Sequence, residues 1–285
     1  MERITFFSTP ELSDSQFQQL SEFIQTNVGI KLPAEKRLMV QSRLTSRLKK
    51  LQMNNFDDYL NLAFSKTEQG SEEIALMINA ITTNLTTFFR ENSHFEYLRD
   101  FVLPELAAND AKKVELWSAG CSSGQEPYTL AIVMQEFIRQ HPDSSIEDFS
   151  ILATDISSKV LDKAIDAVYP MSEVENLSFD LKKRYFLKSK NTKNPAVRIK
   201  PELRQKLIFE RLNFMDLSYP KTTMKDVIFC RNVLIYFDKE TQESVVKKLL
   251  EHLSPGGYLF LGHSETIFGM DLPLKTMGPT IFKKI

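Results

Sequence analysis

From Leu12 to about Ala80 apolar residues recur at helical spacing, with Gly29 and Pro33 as punctuation and no alternating stretch. That pattern predicts a small all-α domain over residues 1–80. From Lys113 the texture changes: "KVELWS", "FSILATD", "KLIFERLNF", "KDVIFC" and "GYLFLGH" read as strands, and "PYTLAIVMQEFIRQ", "SKVLDKAIDAV" and "KETQESVVKKLLEHL" between them as helices. Strands that alternate with helices predict an α/β domain over residues 81–285, a doubly wound and mostly parallel sheet. The terminal "TIFKKI" follows a strand without an obvious helix, so it is expected to add a last strand running antiparallel.

One stretch breaks the alternation. Almost forty residues separate a helix expected to end near Val168 from the strand near Leu207, where such connections usually take about 2 to 6. Within it "RYFLKS" and "AVRIKP" flank "KNTKNP", two short strands around a turn. An inserted antiparallel β-subdomain is therefore expected at about 169–206. It holds ten Lys or Arg against four Asp or Glu, a local basic excess that could bind nucleic acid.

The chain has 285 residues, 42% of them hydrophobic and 26% charged, with a net charge of −1. Those values describe an ordinary globular protein and argue against disorder or bulk polyanion binding. The N-terminus lacks a leader pattern and no apolar run approaches the roughly 18 residues of a membrane span, so a cytoplasmic protein is expected. The two cysteines, Cys121 and Cys230, form no CxxC or Cys/His cluster, and no metal is expected.

Candidate chemistry starts at "WSAGCSSGQEPYTLA", residues 117–131. A strand ending at Ser118, a turn bearing Gly120 and Gly124, and a helix with Pro127 in its first turn make the first βα unit of a doubly wound sheet, where ligands bind. A tight structural turn would read the same way, since this is not GxGxxG. The next strand ends in Asp155, placed to accept hydrogen bonds from ribose hydroxyls or to cap the helix from Ser157. Glu126 stands at the helix N-terminus, where it would repel a pyrophosphate and welcome an amino group. A nucleoside carrying an amino acid tail is S-adenosylmethionine.

With those residues in view the chain resembles the chemotaxis-receptor glutamate methyltransferases of the CheR type along nearly its whole length. The matching stretches are "TTNLTTFFRE" (82–91), the 117–131 stretch, "ATDIS" (153–157), "FCRNVLIYFD" (229–238) and "GHSE" (262–265). The family's architecture, a helical N-terminal domain and a methyltransferase domain with an inserted β-subdomain, matches the pattern above. Gln125 departs from it, since an acid commonly stands there. The resemblance implies that Asn84, Thr86 and Arg90 contact the cofactor, with Gly120 in the turn. It places Glu126 at the methionine part, Asp155 at the ribose, Asn213 and Phe214 around the adenine, and Arg231 and Asn232 beyond the fourth strand. At "FFRE" one or both phenylalanines are expected in a core.

The reaction so implied moves a methyl group from sulfonium to a glutamate carboxylate of a chemoreceptor, leaving S-adenosylhomocysteine. That nucleophile, with an ordinary pKa near ~4.3, is already ionised, so no strong base is needed and alignment dominates. Arg90 and Tyr236 are the expected orienting groups. Tyr236 could instead be a buried aromatic, and His263 is read as structural. Lys36, Arg43, Arg47 and Lys50 fall within roughly a 60° arc of one helix beside Val40, Leu44, Leu48 and Leu51. The arc is expected to face out, as a solvated face or as a dock for an acidic receptor helix. The β-subdomain could pair with a receptor tail. Two rival readings stand beside this one. A nucleic-acid methyltransferase would show an Asn-Pro-Pro-Tyr type of motif where "RNVLIY" stands, and a non-catalytic cofactor sensor would keep the same fold.

Overall fold

Helices with defined caps build the first part of the chain. The computed structural model describes residues 10–219 and 223–285; residues 1–9, part of the stretch read for a leader, lie outside it. Two compact units appear, Met1–Thr83 and Asn84–Ile285. In the first, α1 (Asp14–Val28) starts at Ser13, whose side chain and that of Gln16 cap each other's backbone, and ends at Gly29. Then come α2 (Arg37–Lys50), α3 (Phe56–Ala63), capped by Asn55, and α4 (Glu68–Ile81), capped by Thr67. Val40, Leu44 and Leu48 of α2 are fully buried, with Leu20, Ile24, Phe56, Tyr59 and Met77 beside them in the unit's core.

The basic arc of α2 does not face out as one surface. Lys36 sits in a 3-10 turn, Ala34–Lys36, ahead of the helix, and both it and Lys50 are exposed. Arg47 instead turns inward and grips the buried Glu73 with two hydrogen bonds of 3.0 and 2.7 Å, while the Tyr59 hydroxyl donates to the same carboxylate at 2.9 Å. Arg43 donates to the carbonyls of Ile81 and Thr82, at the orphaned C-terminal end of α4. Helical spacing places a side chain on a face but does not say which buried acid lies across from it.

The second unit opens with a helical run absent from the expectation: α5 (Ser93–Tyr97), a π-helical turn (Leu98–Val102) and α6 (Leu103–Ala108). There follow β1 (Lys113–Ala119), α7 (Gln125–Gln140), β2 (Asp148–Asp155) and α8 (Ser158–Asp166). The inserted region holds β3 (Val168–Pro170), α9 (Phe179–Tyr185), β4 (Phe186–Lys188), β5 (Ala196–Ile199) and α10 (Pro201–Arg204). The chain closes with β6 (Leu207–Arg211), β7 (Lys225–Cys230), α11 (Lys239–Glu251), β8 (Leu253–Leu261), β9 (Leu274–Gly278) and β10 (Ile281–Lys284).

Seven of these described strands form one sheet in the order β6-β2-β1-β7-β8-β10-β9. The first five are parallel, and β10 runs antiparallel to both β8 and β9, as expected for the terminal strand. β9 was hidden because "LKTMG" is mostly half-exposed and carries no alternation. In the insertion β3-β5-β4 is an antiparallel sheet. The helix expected to reach Val168 stops at Asp166, with Ala167 left-handed at φ 54°, and Val168 starts the third strand. From β1 the chain steps outward through β2 to β6, then returns to β7 on the other side of β1. The switch point thus lies between the carboxyl ends of β1 and β7.

Candidate functional site

The turn after β1 is shaped by backbone conformations few residues adopt. Gly120 has φ 86° and Gly124 φ 95°, both left-handed, and a Cβ on Gly120 would stand 2.4 Å from Val233 Cγ2. The turn is pinned to β2, because the amides of Gly120 and Cys121 both donate to the Thr154 carbonyl at 2.8 Å. Asp155, at the tip of β2, accepts from the Ser122 amide at 2.8 Å and the Ser157 amide at 2.9 Å. Burial pushes its carboxyl up, against the pull of those amides. Asp155 thus organises the start of α8 and lies beside the turn. Beyond it the Leu212 amide donates to the Asp155 carbonyl, which stitches β6 to β2.

Glu126, in the first turn of α7, is buried between Ser118 and Arg231. Its Oε1 accepts from Ser118 Oγ at 2.7 Å and its Oε2 from Arg231 Nε at 2.8 Å. Arg231, at the end of β7, is fully committed: it also donates to the Arg90 carbonyl at 2.7 Å and to His94 Nδ1 at 3.0 Å, and stacks over Phe95 and Phe229. Since a guanidinium only donates, His94 Nδ1 is the acceptor and the ring proton sits on Nε2, facing Thr280 Oγ1 at 3.1 Å. Burial, and then the charge of Arg231, lower the His94 pKa to about 4.

The segment 84–91 closes over this group. The Asn84 carbonyl accepts from Ser122 Oγ at 3.0 Å, the Phe89 amide donates to Thr129 Oγ1, and Arg90 donates to the Leu85 carbonyl at 2.8 Å. Phe88 is buried and Phe89 partly so. Thr86 is half-buried. Glu91 accepts from Asn232 Nδ2 at 3.1 Å and from Arg231 at 3.5 Å. Burial pushes Glu91 up, but Asn232 and Arg231 outweigh it and the net direction is down.

On the far side Asn213 caps its own turn through the Met215 amide, and Phe214 is buried. Asn232 stands at φ 60°, and its amide, with those of Val233, Leu234 and Gly262, converges on the buried carboxylate of Glu265 at 2.5 to 2.9 Å. That carboxylate holds the segment leading to Tyr236, half-buried in the 3-10 turn Leu234–Tyr236. Four of the eight left-handed non-glycine residues described, Phe89, Glu91, Ser122 and Asn232, meet here. Strain of this kind costs roughly 1–3 kcal/mol per residue and gathers at functional sites.

The structure thus gathers Asn84, Gly120 and Asp155 around the turn, and Arg90, Glu126, Arg231 and Asn232 around the buried guanidinium, both groups at the switch point. Sequence reasoning missed Glu91, His94 and Glu265. Both glutamates close stretches quoted above, "TTNLTTFFRE" and "GHSE", and their place in those stretches was the available signal. Gln125 donates to Glu173 at 2.7 Å, where an acid would face another carboxylate. Glu91, His94 and His263 approach one another closely enough to suggest a cation site, but Arg231 already fills the position facing His94 Nδ1 with positive charge.

Residues 84–282 match the family described as "CheR methyltransferase, SAM binding domain", and residues 15–82 match "CheR methyltransferase, all-alpha domain". A chemotaxis protein methyltransferase of Borreliella burgdorferi is 37% identical over 277 residues, 96% of this chain and 95% of its own. One of Salmonella typhimurium is 36% identical over 271 residues, 95% of this chain and 90% of its own.

Proposed function

Since the chain belongs to the CheR methyltransferase family, we propose that it transfers the methyl group of S-adenosylmethionine to glutamate side chains of chemoreceptors, forming methyl esters. The observation that carries this reading is the pair of carboxylates flanking the turn. Glu126 and Asp155 stand at the ends of adjacent elements; Arg231 donates to one oxygen of Glu126, and Asp155 accepts from backbone amides. That pair of acceptors suits an ammonium group and ribose hydroxyls and opposes a phosphate. Each carboxylate keeps acceptor capacity beyond the bonds it already makes. Asn84, Thr86, Arg90, Gly120, Asn213, Phe214 and Asn232 complete the proposed holding set, and Arg231 serves it through its bond to Glu126.

Bound S-adenosylmethionine supplies a methyl group made electrophilic by its sulfonium. The chain's own task is to orient the acceptor and exclude water. Opposite charges cancel as the transition state forms, so a strong cation on the acceptor carboxylate would stabilise the ground state instead. The arrangement agrees with that demand. Arg231 is turned away into Glu126 and His94, and Arg90 is tethered by the Leu85 carbonyl. Tyr236 orients the acceptor carboxylate, and Arg90, held back by the Leu85 carbonyl, flanks it without pairing with it; no proton has to move, and neither His94 nor His263 is needed as a base.

The receptor's cytoplasmic helical bundle is the proposed acceptor, approached by Lys36 and Lys50, whose side chains are exposed. A receptor tail could add to a free edge of the β3-β5-β4 sheet. Among the described residues no helix is long and apolar enough to cross a membrane; the proposed setting is the cytoplasm, at membrane receptor arrays. The test follows radiolabelled methyl from S-adenosylmethionine into receptor cytoplasmic fragments, with and without their tails, and into RNA. Base-labile label on the receptor is expected, and label on RNA alone, or on nothing, would sink the reading.

A further inference from the structure

The inserted subdomain reaches into the cofactor turn. Tyr169, the middle residue of β3 and 3% exposed, donates its hydroxyl to the Ser123 carbonyl at 2.8 Å. The same hydroxyl would lie 2.8 Å from a Cβ on Gly124, so glycine is what lets the turn pass so close. Next to it Gln125, also 3% exposed, accepts from Ser123 Oγ at 2.8 Å and donates to Glu173 at 2.7 Å. Glu173 belongs to the 3-10 turn Met171–Val174 that follows β3. Phe88, from the 84–91 segment, meets Tyr169 and Phe186 edge-on at 5.0 and 5.6 Å.

We infer that Tyr169 and Glu173 are positioning residues for the cofactor: they hold Ser123 and Gln125, and with them the first turn of α7 that carries Glu126, in the binding geometry. The inference rests on the cofactor reading above. Its physical basis is the turn's own conformation. Ser122 at φ 50° is a state that a non-glycine residue does not hold unaided, so outside contacts must over-determine the turn. Two of those contacts come from the subdomain. The amide at position 125 is the specific element, because it donates where a carboxylate would meet Glu173 at hydrogen-bond distance and be repelled. By linkage, anything that shifts β3 or the Met171–Val174 turn changes cofactor affinity, and the cofactor returns the same factor.

The test is a double-mutant cycle on the full chain, read by calorimetry with S-adenosylhomocysteine and by steady-state methylation of a receptor fragment. Gln125→Glu is expected to weaken binding about tenfold, the scale of a hydrogen bond to a charged group. Adding Glu173→Gln restores a donor–acceptor pair and should recover affinity to within about threefold, with Glu173→Gln alone closing the cycle. Tyr169→Phe is expected to weaken binding about fivefold. In each weakened variant KM for S-adenosylmethionine should rise while kcat holds, whereas simple loss of folded protein would lower kcat and leave KM unmoved. Unchanged affinity in Gln125→Glu, no recovery in the double variant, or a fall in kcat alone would overturn the inference. Absence of binding by the unsubstituted protein would overturn the cofactor reading and this inference with it.

Discussion

His94 illustrates how one buried side chain is held in one ionisation state. Burial and the guanidinium of Arg231 put its pKa at about 4, against 6.5 ordinarily, while Glu91 and His263 also face it. Between those two values the unfolded chain binds a proton that the folded chain refuses. Stability is therefore complete above about pH 6.5 and is lost as pH falls towards 4, by on the order of 3 kcal/mol in all. Asp155 and Glu265, whose pKa values are raised, act in the opposite sense just above their ordinary values, so the contribution is read as a difference. Denaturant melts of the parent and of His94→Gln across pH 4 to 7 are expected to show the steeper acid loss in the parent. Equal slopes would mean that His94 titrates in the fold as it does in the unfolded chain. Asp155 and Glu126 were legible in the sequence because strand tips and helix starts have known uses. His94 was not, since a histidine in a helix says nothing of an arginine 137 residues away.

At the scale of elements the clearest case is the seam between α2 and α4. Arg47 and Glu73 are a largely buried pair, with side chains 14% and 3% exposed, and Tyr59 adds a third group. Arg47→Ala leaves that acid buried without its partner and is expected to destabilise the first unit by about 3 kcal/mol or more, read as a lowered midpoint in urea. Replacing exposed Lys36 and Lys50 by Glu should leave the melt within about 0.5 kcal/mol and weaken receptor methylation while S-adenosylhomocysteine still binds. Unchanged methylation would remove those lysines from receptor docking. Helices and parallel strands were legible because their periods of 3.6 and 2 are written in every residue they contain. The run α5 to α6 was less so: its π-helical turn at Leu98–Val102 shifts the face that follows, breaking the period. The three-residue β3 is too short to carry a period at all, and β4, equally short, was read from the turn residues that follow it.

On the scale of the whole molecule, the two units differ in what each holds. Residues 84–285 carry a continuous apolar core from Phe88 through Ile281 and every residue proposed to hold the cofactor. A unit of that size with its own core is expected to fold alone. Expressed by itself it should melt cooperatively and bind S-adenosylhomocysteine; a molten, non-binding product would show that the first unit is needed for more than the acceptor. The same division has a use in following the protein in solution. Cys121 and Cys230 are the chain's two thiols, both in the second unit, both buried, and both pushed well above the ordinary thiol range by that burial. In the folded state an alkylating reagent finds neither a path nor a thiolate. Alkylation is thus timed by the opening of the second unit while the first stays silent, a native chemical clock that a tight ligand should slow in proportion to its occupancy.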